Sequence, residues 1–420
     1  MPEPLRLRVA LDKPSRPLTG DFQTTVLIEA APARALRRLS LNLGILLDTS
    51  ESMAGAKLNH ACGAVEGLAA QLQPGDVLSL VDFSTDAVVR LRGAPAGPAT
   101  LQRVSDVLDR LRAEGVTNLQ RGLDTVLSEL RRHATAERSS FAVLLSDGYP
   151  TTTQGYVDTR QTPYFLRVDR EMRDHGVSLS AIGLGDAANY DQAFLRRLAD
   201  SGNGRFHYCQ SVGELVTGFS RELMHLQRSV LADVMLHVRG LGGTIRRLWR
   251  VYPDKKLFHA PEVIDGGFDL PIGVLQDEVP QAFLLDIVTG ARPAGRARLM
   301  EVAASWRMSD ASRVEPQPVV LEWTDEAPAL AQRNPEVVRL AAECLDALLE
   351  EELEEAVASG SLAQQTSVLA RKKQLTARLG KTQATRVLEE MEESLAAGEP
   401  ISQDALARSS QHTKPTQRLG

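Results

Sequence analysis

Sulfur and aromatic side chains are scarce in this sequence. The cysteines number three, Cys62, Cys209 and Cys344, an odd count, far apart and never in a CxxC pair. That excludes a disulfide framework and a thiolate zinc site, and reads as reduced thiols. No apolar run reaches the roughly 18 residues a membrane-spanning helix needs. The opening stretch MPEPLRLRVALDKPSRP lacks the apolar core of a secretion signal. These absences predict a cytoplasmic protein without a membrane span. Excess basic charge is missing too: the net charge is −6, which argues against a nucleic-acid partner.

Several catalytic signatures are also absent. The eight histidines show no HExxH spacing, and there is no GxxxxGK[ST] loop. The glycines near Ser50 and Ser146 do not form GxSxG, and His60 reads as a helix-surface residue. An aspartyl phosphatase would need a second Asp where Ser50 stands. Gly183-Leu184-Gly185-Asp186 ends a strand, but without a third, helix-opening glycine it is weak evidence for a nucleotide. No enzymatic activity is expected.

What is present is material for two or three cores: 43% of the 420 residues are hydrophobic. Between residues 39 and 230, strand-length apolar runs (39–47, 76–83, 141–146, 177–185) alternate with helical patterns (55–72, 99–113, 118–133, 165–174, 190–201, 211–230). Near-continuous apolar strands separated by helices predict a doubly wound, mostly parallel α/β sheet covered on both faces. Before it, residues 5–11 and 22–30 alternate like half-buried strands. After it, 231–326 reads as strands alone, with all three tryptophans, and suggests a β-sandwich. Two leading strands cannot hold a core by themselves. Residues 1–38 are therefore expected to pair with 231–326, making the α/β unit an insertion. Asn334-Pro335-Glu336 opens a C-terminal helical unit, 334–398, and 399–420 reads as a disordered tail. Within the helical unit, the acidic run Glu350–Glu355 reads as a solvated helix face, able to form surface pairs with Arg371-Lys372-Lys373.

One constellation carries chemistry. The first α/β strand runs into Asp48-Thr49-Ser50-Glu51-Ser52, whose alternate spacing lets three oxygens face a common centre. A second loop before a helix offers Thr117, and a third, Ser146-Asp147-Gly148, ends another apolar strand. In open α/β sheets, ligands collect where the strands' carboxyl ends meet their loops. Oxygen ligands without sulfur or imidazole select Mg²⁺, with Mn²⁺ or Ca²⁺ possible. Two carboxylates only balance such an ion, so an open position on it would favour an external carboxylate. Each residue also has a plainer reading that can coexist: Thr117 as a helix N-cap, Asp147 as a turn residue, Glu51 and the 149–163 loop as solvated rim.

These residues resemble those of the von Willebrand factor A (VWA, or integrin I-like) family. Asp48, Ser50, Ser52, Thr117 and Asp147 match, in order, the five positions of its metal-ion-dependent adhesion site. The resemblance implies hydroxyls that reach the metal directly or through water, and aspartates acting mostly through water. It further implies a readout by the last helix, here 211–230. The overall layout is similar to bacterial stand-alone VWA proteins loosely named for Ca²⁺-activated chloride channels. The function implied is metal-dependent binding of a protein partner that supplies an Asp or Glu. The alternative is a subunit assisting a MoxR-type AAA⁺ ATPase in remodelling a client.

Overall fold

A computed structural model describes residues 4–33, 36–147, 149–152, 154–160, 162–184, 192–209, 212–258, 260–307, 312–398, 400–401, 405–406 and 409. The chain opens with β1 (Leu5–Leu11), β2 (Ser15–Arg16) and β3 (Phe22–Pro32). The α/β unit follows: β4 (Ser40–Asp48), α1 (Ala56–Ala70), β5 (Val77–Phe83), β6 (Ala87–Pro95), α2 (Pro98–Leu108), α3 (Leu119–Arg132), β7 (Arg138–Ser146), α4 (Thr162–His175), β8 (Val177–Leu184), α5 (Gln192–Ser201), β9 (Asn203–Cys209) and α6 (Val212–Leu226). Then come β10 (Ser229–Arg239), β11 (Thr244–Tyr252), β12 (Lys256–Phe258), β13 (Phe268–Gln276), β14 (Gln281–Thr289), β15 (Gly295–Arg307) and β16 (Ser312–Trp323). The helices α7 (Ala327–Ala331), α8 (Pro335–Ala358), α9 (Leu362–Arg378) and α10 (Thr382–Ala396) complete the order.

The α/β fold class read from the sequence is the one found. Its six-stranded sheet runs β6-β5-β4-β7-β8-β9, parallel except for the edge strand β6. Outside β5 and β8, the sheet is extended by β6 and β9, which the apolar-run reading did not contain. Their sequences, AVVRLRGAP and NGRFHYC, carry charges and few consecutive apolar residues, as sheet edges do. The last helix also ends earlier than the predicted 211–230. It stops at Leu226, where Ser229 Oγ donates to the Leu226 carbonyl at 2.6 Å, and Ser229 and Val230 already belong to β10.

The other two sheets enclose one apolar core. Their orders are β1-β3-β14-β11-β12 and β13-β10-β15-β16-β2, so β3 pairs with β14 (Val26 with Leu285) and β2 with β16 (Ser15 with Glu322), far later in the chain. Val26, Ile28, Phe283, Leu285, Leu236, Met300, Leu321 and Trp323 meet between them. Leu39 N donates to Ser229 O at 2.8 Å, so the α/β segment leaves and rejoins the sandwich at one point. Helix α8 covers the outer face of the first sheet, laying Val337, Cys344 and Ala347 on Leu27, Trp249 and Leu284. Among the described residues no helix is long and apolar enough to cross a membrane.

The acidic run is not wholly solvated, and Lys372 forms no surface pair. Lys372 is 0% exposed and bonded to Asp346 Oδ1 at 2.6 Å and Glu350 Oε2 at 3.0 Å; Arg371 alone makes the outer pair expected, with Glu352 at 3.0 Å. The antiparallel packing of α8 on α9 turns the Glu350 position inward. Most of the predicted disordered tail, 399–420, lies outside the described residues. Ile401, Ala405, Leu406 and Ser409, however, are buried, the first three against the apolar faces of α8–α10.

Where α6 meets the sandwich, a cavity of about 60 Å³ is lined by Ser180, Arg205, Glu222, His225, Arg250 and Gln276. Burial alone would raise the Glu222 carboxyl. Bonds from His207 at 2.8 Å and Ser180 at 2.6 Å, with the charges of His207 and His225, instead hold it at about 2. Desolvation, reinforced by Arg205, pushes His225 down to about 3. An unfolded histidine takes its proton near pH 6.5. Stability contributed by neutral His225 is therefore complete above that pH and lost as pH falls toward 3. His225→Gln is expected to flatten the fall in thermal stability between pH 7 and 4.5, by about 2–3 kcal/mol at the acid end. Identical slopes in the two proteins would show that His225 protonates freely in the folded state.

Candidate metal centre

The sheet order creates the site. From β4 the chain crosses through α1 to β5 on one side, while β7 lies on the other, so the β4 and β7 carboxyl ends face a switch point where loops diverge. The parallel register sets Leu47 opposite Leu145, which places Asp48 and Ser146-Asp147 side by side. Helix α3 sits close on β4 and β5 because Gly122 has no side chain. A Cβ there would lie 2.8 Å from Phe83 and 3.0 Å from Leu46. That close approach brings the loop ahead of α3 to the same edge.

Backbone bonds lash the three loops together. Glu114 N donates to Thr49 O at 2.8 Å and Glu51 N to Gly115 O at 3.1 Å, joining the first loop to the second. Gly115 holds φ +78°, and a Cβ there would strike Thr85 Oγ1, so this turn requires glycine. Thr151 N donates to Thr117 O at 2.8 Å and Thr117 N to Thr151 Oγ1 at 2.9 Å, joining the second loop to the third.

Of the five predicted site residues, three are linked side chain by side chain, and Asp48 joins them through the Ser50 amide. Asp48 is 0% exposed; its Oδ1 accepts from Ser50 N at 2.9 Å and its Oδ2 from Ser146 Oγ at 2.5 Å. The Ser50 and Ser52 hydroxyls lie 3.1 Å apart, and Ser52 Oγ donates to Asp147 Oδ1 at 2.7 Å. Thr117 joins them through its loop. The N-cap reading of Thr117 does not hold. Asn118 caps α3, its side chain accepting from Arg121 N at 3.3 Å. The Thr117 hydroxyl, on a residue only 6% exposed, therefore stays free of the helix and takes no bond from the described residues.

The electrostatics favour a cation. Burial pushes the Asp48 carboxyl up to about 6 and neighbouring Asp147 adds to the rise, against the lowering bonds from Ser146 and Ser50. Two enclosed carboxylates side by side are costly unless a positive charge is near. A hard ion suits donors made of hydroxyl and carboxylate oxygen. Among the described residues no group of three or more His, Cys, Asp or Glu side chains is disposed to hold a metal. This centre has two acids, and hydroxyls would have to supply the rest.

One participant was missed by the sequence reading. The Lys57 ammonium bonds Asp147 Oδ2 and reaches Ser52 O at 3.3 Å. Its signal was available: a basic residue five positions after Ser52, in the first turn of the next helix. Around the centre, Glu51, Tyr149, Tyr156 and Val157 are exposed, with Tyr156 at 75%. Gly148 lies outside the described residues. A different relay, Asp269 Oδ1–His237 Nδ1 and His237 Nε2–Ser305 Oγ, both 2.8 Å, has the residue types of a hydrolase triad. His237 and Ser305 stand inside strands paired on both sides, where the ladders consume the amides an oxyanion hole would need.

Comparison with known proteins identifies the α/β unit. Residues 42–220 match the family model of the von Willebrand factor type A domain. The chain is 26% identical to YfbK of Escherichia coli (strain K12) over 198 residues, 47% of this chain and 33% of that protein. It is 28% identical to the human inter-alpha-trypsin inhibitor heavy chain H6 over 251 residues, 56% of this chain and 18% of that protein. The matches thus span well under two thirds of these relatives. In structure it resembles a von Willebrand factor type A protein from Catenulispora acidiphila, with a TM-score of 0.79 at 18% identity, covering 99% of this chain and 98% of that one. The ArnB paralog VWA2 from Sulfolobus acidocaldarius follows at a TM-score of 0.62 and 17% identity, covering 99% and 100%. At such identities the likeness is one of fold, and it extends over the sandwich and the C-terminal helices. The chain carries a von Willebrand factor type A domain, inserted between the strands of a β-sandwich.

Proposed function

We propose that this chain is a metal-dependent protein-binding module, with Asp48, Ser50, Ser52, Thr117 and Asp147 holding a divalent cation, Mg²⁺ being the ion that best suits the donors. The observation that carries this reading is the convergence of three sequence-distant loops on one enclosed patch of oxygen. There the Thr117 hydroxyl is left without a partner among the described residues. The ion would supply an electron-poor centre for the carboxylate of a partner's Asp or Glu. The chain's own residues orient that approach. Asp48 and Asp147 contribute the balancing charge from buried positions, while Ser52 and the exposed rim around Glu51 and Tyr156 face the partner. The use of VWA domains as protein-interaction modules supports the reading.

Capture from native lysate by wild type and Thr117→Ala, each in Mg²⁺ and in EDTA, tests it. A protein held only by wild type in Mg²⁺ is expected, with retention at least tenfold above the other three conditions. Equal capture in all four would place the contact surface elsewhere on the molecule.

A further inference from the structure

Asp147 is enclosed, and both of its oxygens are engaged: Oδ1 by Ser52 Oγ at 2.7 Å and Oδ2 by the Lys57 ammonium. Lys57 is the second residue of α1, at a helix N-terminus, where a cation opposes the helix dipole. Its position therefore owes nothing to the helix. What holds it is the carboxylate and the Ser52 carbonyl at 3.3 Å. A side chain 36% exposed, on a flexible four-carbon stem, can also leave that place for solvent without disturbing the core.

We infer that Lys57 is an internal counter-cation that competes with the divalent ion for Asp147 and thereby sets the ion affinity of the centre. The inference rests on the metal-centre reading above. Charge arithmetic gives it consequences. Asp48, Asp147 and Lys57 sum to −1, so a divalent ion that displaces the ammonium from Asp147 but leaves it on the rim brings the centre to +1. An Asp or Glu arriving from a partner brings the sum to zero. Partner carboxylate and metal then strengthen each other's binding by the same factor, as linkage requires. Without the lysine, the two aspartates alone neutralise the ion, and the carboxylate adds less.

The test titrates MgCl₂ into the full chain by calorimetry, for wild type and Lys57→Gln, and follows acylation of Lys57 by sulfo-NHS-acetate in wild type with peptide mass spectrometry. Lys57→Gln is expected to bind Mg²⁺ at least tenfold more tightly, a difference of about 1.4 kcal/mol. The Lys57 amine is expected to acylate several times faster at saturating Mg²⁺, because the ion releases it from Asp147. Mg²⁺ binding by the variant where wild type shows none supports the inference further. Equal or weaker binding by Lys57→Gln, or Lys57 acylation unaffected by Mg²⁺, overturns it while leaving the metal centre standing. If neither protein takes up Mg²⁺ or Mn²⁺, the metal-centre reading falls, and this inference with it.

Discussion

Asp48→Asn is expected to eliminate the Mg²⁺-dependent stabilisation of the α/β unit, while leaving that unit at least as stable as wild type in EDTA. The substitution keeps the shape and one acceptor oxygen, and Ser146 Oγ can turn to accept from the new amide nitrogen. What disappears is a carboxylate that burial has pushed up to about 6. A carboxyl with a raised folded pKa lends its stability below its unfolded pKa and loses it as pH rises through the folded value. At pH 7.5 the ionised Asp48 is therefore a burden, and removing the charge should relieve on the order of 1–3 kcal/mol. In wild type a saturating ion would offset that burden; at a hundred times its dissociation constant it would add about 2.7 kcal/mol. Because the chain has several structural units, hydrogen exchange of the β4 and β7 amides with and without Mg²⁺ is the measurement to make. An Asn variant whose β4 amides still gain protection from Mg²⁺ would remove Asp48 from the site.

Lys372→Ala is expected to cost the C-terminal helical unit about 3–5 kcal/mol, the range found when one partner of a buried ion pair is deleted. The lysine lies between Asp346 and Glu350, which are likewise 0% exposed. Burial alone would raise the Asp346 carboxyl; the charge and bond of Lys372, with Lys381 at 2.7 Å, hold it below its ordinary value. Ser409 Oγ donates to Glu350 at 2.7 Å, so the cluster also fastens the segment after α10. Removing the ammonium leaves Asp346 to Lys381 and takes from buried Glu350 the ion pair it makes at 3.0 Å. Replacing all three together, as Lys372→Met with Asp346→Asn and Glu350→Leu, is expected to recover most of the loss, since apolar substitutes for buried ion clusters are often neutral or better. Urea unfolding followed by hydrogen exchange on α8–α10 separates the outcomes. A loss below 1 kcal/mol in Lys372→Ala would mean that water reaches the carboxylates and that the cluster behaves as a surface pair.

The parts of the molecule legible in sequence were those whose signal is local. Strands β4, β5, β7 and β8 are buried on both faces, so each appears as a near-continuous apolar run. The Asp, Ser or Gly ending each run marks the strand's carboxyl end, where α/β sheets gather their polar loops. For that reason Asp48, Ser50, Ser52, Thr117 and Asp147 stand out in the sequence as candidate ligands. Edge strands carry no such mark. β6 faces solvent on alternate residues, and β9 lies against one neighbour only. Lys57 escaped notice because basic residues in the first turn of a helix are usually solvated, and only the placement of Asp147 gives this one a partner.

Sequence alone determined the α/β class and the pairing of the leading strands with later ones, and it named the oxygen-bearing residues proposed as ligands. Each follows from hydrophobic period, oxygen chemistry, or the inability of two strands to bury a core. Tertiary structure alone decided how the charges are used. Glu350 and Glu352 stand two residues apart in one acidic run, yet one is sealed against Lys372 and the other meets Arg371 in solvent. Thr117 and Asn118 are both good caps by composition, and the geometry of α3 gives the cap to Asn118, leaving the Thr117 hydroxyl outside the helix. The physical reason is the same in both cases. Apolar burial is set by patterns along the chain, whereas the fate of a charge or a hydroxyl depends on which distant element faces it, and that is known only once the elements have packed.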